Sequence, residues 1–420
     1  MALRTISETF SANNMKKLFI PGAFVLIVLW AYTKFEKMPL SHFASAEEKY
    51  LDELPGSSPN VTQDSHGNNV VSWVRRMNDS VSVFCYAVID ENGKPGNTVV
   101  ILPSVNIHPH AENLPKVVFK PSGEVIAVWG TRNPDGKNKY SGLINYAQSF
   151  DDGKTWTAAK RLVTDAAGDD QRYSDVVLTK NGEAAIIWLD NRKTTTHEGS
   201  ALYFAVTEGN SGFVREQLVS QPACQCCRTK LYCDSKGNLH AVYRGIINDS
   251  IRDMLHVVST DGGKSFSAPK RVHADNWVLR GCPHTGPSMA ETQHGLHFAW
   301  FTGGLRKGSY LISSQDGSFK GYDTISSAGT HPQLAAMPGG SLVVVWDESV
   351  RIGDQFYKRI GMQLRNERGS AVMTDFITSD TAYSTYPVMA PVNDKKVLVA
   401  YSSKEKNREY IKWQHVQVVP

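Results

Sequence analysis

The chain carries little net charge for its size: 45 Lys and Arg stand against 41 Asp and Glu, a balance of +4. No Lys/Arg run interrupts that evenness, so the electrostatic footprint of a nucleic-acid binder is missing. Gly/Ser-rich and Pro-rich stretches are missing too, and with them any linker that would cut the repeats into separate domains. Long apolar runs are reduced to one, at 18–33, and cysteine to six in 420 residues.

What is present is a repeat. Seven strand openings read Ser58-Pro59-Asn60-Val61, Leu114-Pro115-Lys116-Val117, Tyr173-Ser174-Asp175-Val176, Arg228-Thr229-Lys230-Leu231, Gly286-Pro287-Ser288-Met289, His331-Pro332-Gln333-Leu334 and Tyr386-Pro387-Val388-Met389. Each leads to a strand ending in an aromatic: Trp73, Trp129, Trp188, Tyr243, Trp300, Trp346 and Tyr401. The aromatic follows the fourth opening residue by 12 positions in six repeats and by 11 in the fifth. A period of 46 to 59 residues made of short strands means small sheets stacked radially, an all-β β-propeller. Seven four-stranded repeats are expected over 47–420, or six blades if a terminal repeat is only partly formed. Repeat two parses most clearly, as strands at 116–119, 124–129, 142–148 and 158–163. A closing strand set is expected near the C-terminus, from Tyr410 onward.

Residues 1–46 form a separate N-terminal segment. Met15-Lys16-Lys17 precedes the apolar stretch, and basic residues there keep that end in the cytoplasm, so the propeller lies beyond the membrane. Two readings stay open. As a signal peptide it would be cut after Ala44-Ser45-Ala46. As an uncleaved anchor it would tether the propeller to the inner membrane, although 16 residues is short for a span. Either way the expected location is extracytoplasmic, periplasmic or at the cell surface, where disulfides are permitted.

In repeat two the third and fourth strands are joined by Ser149-Phe150-Asp151-Asp152-Gly153-Lys154-Thr155-Trp156, and in repeat four by Ser259-Thr260-Asp261-Gly262-Gly263-Lys264-Ser265-Phe266. Ser and Asp side chains can cap such a turn, Gly supplies positive φ, and the aromatic tucks beneath. A shortened copy, Ser314-Gln315-Asp316-Gly317-Ser318-Phe319, stands in repeat five. These turns resemble the Asp-box, and the chain is similar over its whole repeat region to the sialidase-like Asp-box (BNR-repeat) propellers. The resemblance implies that the Asp-boxes are structural and that ligand chemistry sits on the opposite face, at the channel mouth. Loops placed there hold Arg75, Arg76, Arg132, Arg306, His108, His110 and the residues below.

Arg192, Arg228, Arg244 and Arg252 come from neighbouring repeats on that face. They could grip a carboxylate by bidentate bonds, or pair with local acids and tie repeats together. The resemblance implies an arginine triad for a substrate carboxylate, with Arg252 and Arg306 where its later members are expected. The first repeat carries no Arg-Ile-Pro motif, and Arg75 and Arg76 follow Trp73 instead of preceding it. Tyr383-Ser384-Thr385-Tyr386 resembles the motif that holds a nucleophilic tyrosine. Tyr386 is the nominated nucleophile, Glu348 its proton acceptor and Asp190 the general acid; the alternative is that Tyr386 simply opens its strand. Cys224-Gln225-Cys226-Cys227 and Cys282-Pro283-His284 lie at one level of the fold. They could form a disulfide through Cys282, a copper or zinc site with His284, or an exchangeable redox pair. Cys85 and Cys233 read as buried small hydrophobes. Three functions therefore stay open: an exo-α-sialidase-type hydrolase without cofactor, a propeller that only binds an anionic glycan or other carboxylate ligand, and a metal or redox protein centred on the cysteines.

Overall fold

The described residues of the computed structural model are 43–418, less 138, 166, 194 and 305. Seven antiparallel sheets follow one another, spanning 56–101, 116–161, 171–223, 230–271, 288–326, 329–376 and 384–417. The first six have four strands each, laid side by side in chain order. The seventh has three from the C-terminal repeat, Ser384–Asn393, Lys396–Glu405 and Arg408–Gln417. Its outer edge is completed by Ala44–Ser45 and Lys49–Tyr50, both antiparallel to Arg408–Gln417. The fold is an all-β propeller of seven blades, and the six-bladed alternative is set aside. The closing strand expected near Tyr410 is there, and residues from before the first repeat join it. Cleavage after Ala46 would remove the strand Ala44–Ser45. The apolar segment 18–33 lies outside the described residues, among which no helix is long and apolar enough to cross a membrane.

Blade two has strands Lys116–Phe119, Val125–Arg132, Gly142–Ser149 and Lys160–Arg161, within a few residues of the expected parse. Second strands such as Ala184–Asp190 are buried at every position because both faces of a blade are covered by neighbours. Alternation sends successive side chains to opposite neighbours. Val343 and Val345 enter the core between blades six and seven, whereas Leu342, Val344 and Trp346 enter that between five and six. Seven such cores, one per interface, hold the ring together.

The two full Asp-boxes are built alike. Ser149 Oγ donates to Asp151 at 2.9 Å and accepts from the Gly153 N–H, while Asp151 also accepts from the Thr155 N–H and hydroxyl. Ser259, Asp261, Gly263 and Ser265 repeat those bonds. The bonds from Thr155 hold the Asp151 carboxyl down to about 2. Gly153, at φ +81°, packs so close to Tyr86 of the preceding blade that a Cβ would meet its hydroxyl. The shortened copy in blade five is a different structure: Gln315 pairs with Ser318 across a two-residue hairpin whose Asp316 and Gly317 are both left-handed.

The strand-end aromatics carry a polar tip into buried ground and need an acceptor there. Trp73 Nε1 donates to Asp52, Trp188 to Asp190, Trp300 to Asp275 and Trp346 to Glu348, at 2.7–3.1 Å. In blade seven the Tyr401 hydroxyl donates to Glu48 at 2.6 Å. In blades one, three and six the same carboxylate also takes an arginine: Arg75, Arg192 and Arg359 respectively. Asp52→Ala would strand the Trp73 indole and the Arg75 guanidinium together, so we expect a loss of about 2–3 kcal/mol in a denaturant titration. Tyr401→Phe, which removes one donor, should cost about 1 kcal/mol in the same measurement.

Candidate functional site

The innermost strands open onto the mouth through a shared distortion. In blades one, three, six and seven the register slips at the opening, and Ser58, Tyr173, His331 and Tyr386 take positive φ of 52–59°. A left-handed non-glycine costs about 1 kcal/mol, and here four blades spend it at the same place to re-aim a side chain. Tyr386 stacks on His331, with centroids 4.0 Å apart. Between them and the other blades lies a buried ion pair, Arg228 Nη1 to Glu112 Oε1 at 2.6 Å. Glu112 enters ahead of blade two and Arg228 ahead of blade four, and the pair lies within electrostatic reach of His331 in blade six and Tyr386 in blade seven. Burial pushes the Glu112 carboxyl up against the pull of Arg228.

The four nominated arginines do not gather around an open site. Arg192 is bound by Asp190, Glu216 and Asp165. Arg228 serves Glu112. Arg244 gives its terminal nitrogens to the carbonyls of Arg252, Thr285 and Phe301 and lies over the Trp277 ring. Arg252 is buried with Glu198 3.8 Å away, and its Nε and Nη1 meet no acceptor. Arg228 and Arg244 do converge on one segment, Thr285 and Gly286, but through its carbonyls.

The nominated catalytic groups are likewise apart. Asp190 is wholly buried and accepts from the Trp188 indole and from Arg192. Glu348 accepts from Trp346, Ser326 and Arg359. The carboxylate beside Tyr386 is Asp347, which accepts from the Tyr386 N–H and from His331 Nδ1, both at 2.8 Å. Strand alternation decides this: Glu348 shares a face with Trp346, and Asp347 faces blade seven. Burial opposes ionisation of Asp347, and its bonds to His331, Thr330 and Tyr386 outweigh it, holding the carboxyl low.

All six cysteines are free thiols, so the disulfide expected through Cys282 is not formed. Cys224, Cys226 and Cys227 are buried with sulfurs within 4.8 Å of one another. Cys282 and His284 stand outside that trio, exposed, on the wall of a cavity that Cys226 also lines.

That cavity, of about 630 Å³, lies beside the axis between the loops of blades two, three and four. Its walls are His108, His110, Arg132, Lys139, Tyr140, Arg172 and Tyr173, with no carboxylate among them. His108, Thr131 and Arg132 are shared with a second hollow of about 760 Å³, which runs past Arg76 towards Asp79 and Glu409. The two make one groove. His110 packs edge-on to Tyr173, 5.7 Å away, and 5.8 Å from His284. Burial, then the charges of His284, His108 and Arg172, lower its pKa to about 4. Arg172 is held bidentately by Asp170. Arg76, Arg132 and Lys139 meet no carboxylate among the described residues. A comparable hollow of about 770 Å³ on the Asp-box face is lined by exposed lysines and the turn 261–264, without such a cluster.

Three solved structures place the fold. An uncharacterised protein from Dyadobacter fermentans aligns over 91% of this chain and all of its own, with TM-score 0.53 and 14% identity. The polysaccharide lyase Uly1 covers 91% and 94%, with TM-score 0.53 and 12% identity. The intramolecular trans-sialidase of Ruminococcus gnavus, complexed with oseltamivir carboxylate, covers 75% and 95%, with TM-score 0.50 and 9% identity. The propeller is sialidase-like in architecture. No family model and no curated relative matches the sequence.

The sequence places His108 and His110 at the channel mouth and marks Tyr173 only as a strand opening, and nothing in the local pattern marks Glu112. The Asp347/Glu348 choice could have been made by counting two residues on from Trp346. We expect Arg192→Ala to lower stability by about 3 kcal/mol, because it leaves Asp190 buried without its cation. Ligand binding in the groove should stay unchanged, as isothermal titration would read.

Proposed function

We propose that this is an extracytoplasmic recognition propeller, tethered through 18–33, which binds a carboxylate-bearing glycan along the groove at the mouth. One observation carries the reading. The cations nominated from sequence are held by internal partners, whereas Arg132, Lys139 and Arg76 line the groove outside any ion pair among the described residues, with Asp79 and Glu409 at its far end. Tyr140, Tyr173 and the histidines offer flat faces and donors of the kind that hold sugar rings. The likeness to a polysaccharide lyase and a trans-sialidase supports a carbohydrate ligand through architecture alone.

Sialidase-type hydrolysis would need a base at the Tyr386 hydroxyl. Among the described residues no group hydrogen-bonds it, and burial, then the charges of Glu112 and Asp347, push the phenol up, away from activation. Recognition without hydrolysis is therefore the reading.

Oligouronates and sialyl-oligosaccharides titrated against their neutral counterparts test it. Acidic chains should bind, and Arg132→Ala with Lys139→Ala should weaken them about tenfold, less so at high salt. Equal affinity for neutral chains, or turnover of an α-sialoside, would overturn it. Binding should also tighten as pH falls towards 4, where His110 takes up its proton beside Arg172. Stability moves the other way: the unfolded chain takes up the His110 proton near pH 6.5 and the folded chain only near 4, so folding weakens across that interval.

A further inference from the structure

The cysteine trio is the one motif that glycan recognition leaves unused. Its geometry starts from the backbone. The Cys224 N–H donates to the Arg244 carbonyl at 2.8 Å, which pins the loop leaving blade three to the second strand of blade four. The turn at Gln225 then brings Cys226 and Cys227 back over Cys224. An ion about 2.3 Å from three coplanar sulfurs would set them about 4.0 Å apart. The sulfurs of Cys224 and Cys226 are 3.4 Å apart, and all three lie within 4.8 Å, so the observed spacing brackets that value.

A second, independent observation is the missing counter-charge of Arg244. This guanidinium is 1% exposed, and no carboxylate approaches it among the described residues. Its Nε and the neighbouring Thr285 hydroxyl are buried without partners, and the Thr285 N–H is directed at the Cys227 sulfur. Burying a cation without an anion is costly, and the trio supplies groups beside it that can become anionic, with Arg244 bearing on both Cys224 and Cys227. Packed thiols would leave that cost standing, whereas a metal thiolate would offset it.

We propose that Cys224, Cys226 and Cys227 bind a single copper(I) ion in trigonal coordination. Thiolates select thiophilic d¹⁰ ions. Three ligands with no fourth His, Cys or carboxylate atom in the group suit copper(I) rather than tetrahedral zinc. Binding releases one proton from each thiol, so three protons leave as one Cu⁺ enters, and no electrons are exchanged. The Arg244 guanidinium offsets part of the remaining negative charge. Cys226 also lines the glycan groove, so one edge of the site faces solvent and gives the ion a way in.

The test uses the full-length chain, reduced and kept without oxygen, titrated with copper(I) held by a chromophoric chelator. About one copper per chain should be retained, with X-ray absorption at the copper edge showing three sulfur ligands and Cys282 still reactive to alkylation. Cys226→Ser should hold copper about 100-fold more weakly, while Cys282→Ser should hold it as the parent does. If Cys226→Ser does not fold, the sulfur count at the copper of the parent decides alone. Zinc retained in preference to copper, or copper bound without three sulfur ligands, would overturn the assignment. So would undiminished copper binding by folded Cys226→Ser. The Arg132→Ala and Lys139→Ala chain should bind copper unchanged, which separates failure here from failure of the glycan reading.

Discussion

One buried carboxylate sets the geometry on which the mouth depends. Asp175 accepts Lys116 at 2.9 Å from blade two, and from blade four it takes the Leu231 N–H at 2.8 Å and Lys230 at 3.5 Å. Three successive inner strands are thereby fixed by a single side chain. An ion removed from water is stabilising only when its lone pairs are filled, and here they are. Glu112 and Arg228 sit in the loops entering the outer two of those strands, and Tyr173 in the first part of the middle one. Their positions follow from this tie, and the groove and the cysteine turn follow from theirs.

Burial on both faces explains why so much of the blade order could be read in advance. A second strand packed between two neighbours must be apolar throughout, and the aromatic that ends it is buried in every blade, so Trp73 to Tyr401 mark the period plainly. The same rule hid the roles of Asp190 and Glu348. A carboxylate two positions beyond a buried indole looks like an acid waiting for a substrate until the indole N–H is seen to claim it. Arg192 and Arg359 then balance the charge. In blades three and six, what resembled catalytic equipment in the sequence is the device that satisfies the strand-end indole.

The functional surface was harder to read because it is made between blades rather than within one. His110, Arg132, Arg172 and Cys226 come from four separate segments of the chain, two of them strand ends, and their proximity depends on the angular offset of successive sheets, which no local spacing records. Glu112 and Arg228 illustrate the point: they are 116 positions apart and meet at the axis. With that pair in place, the open volume is displaced from the axis to the wall between blades two and four. The groove and the thiol trio then share Cys226, one on its solvent side and the other behind it.

The edge strands Ala44–Ser45 and Lys49–Tyr50 add to Arg408–Gln417, so the first part of the propeller to be synthesised is the last to find its place. Six blades can assemble as their strands emerge, but the seventh stays open at its rim until residue 417 is available. Glu48 and Asp52 wait with it, and so do the Tyr401 hydroxyl and the Trp73 indole that they serve. Until then the nascent chain presents an uncovered sheet edge, the state most prone to pairing with a stranger. The ring is thus closed as a clasp is: its two ends hold each other.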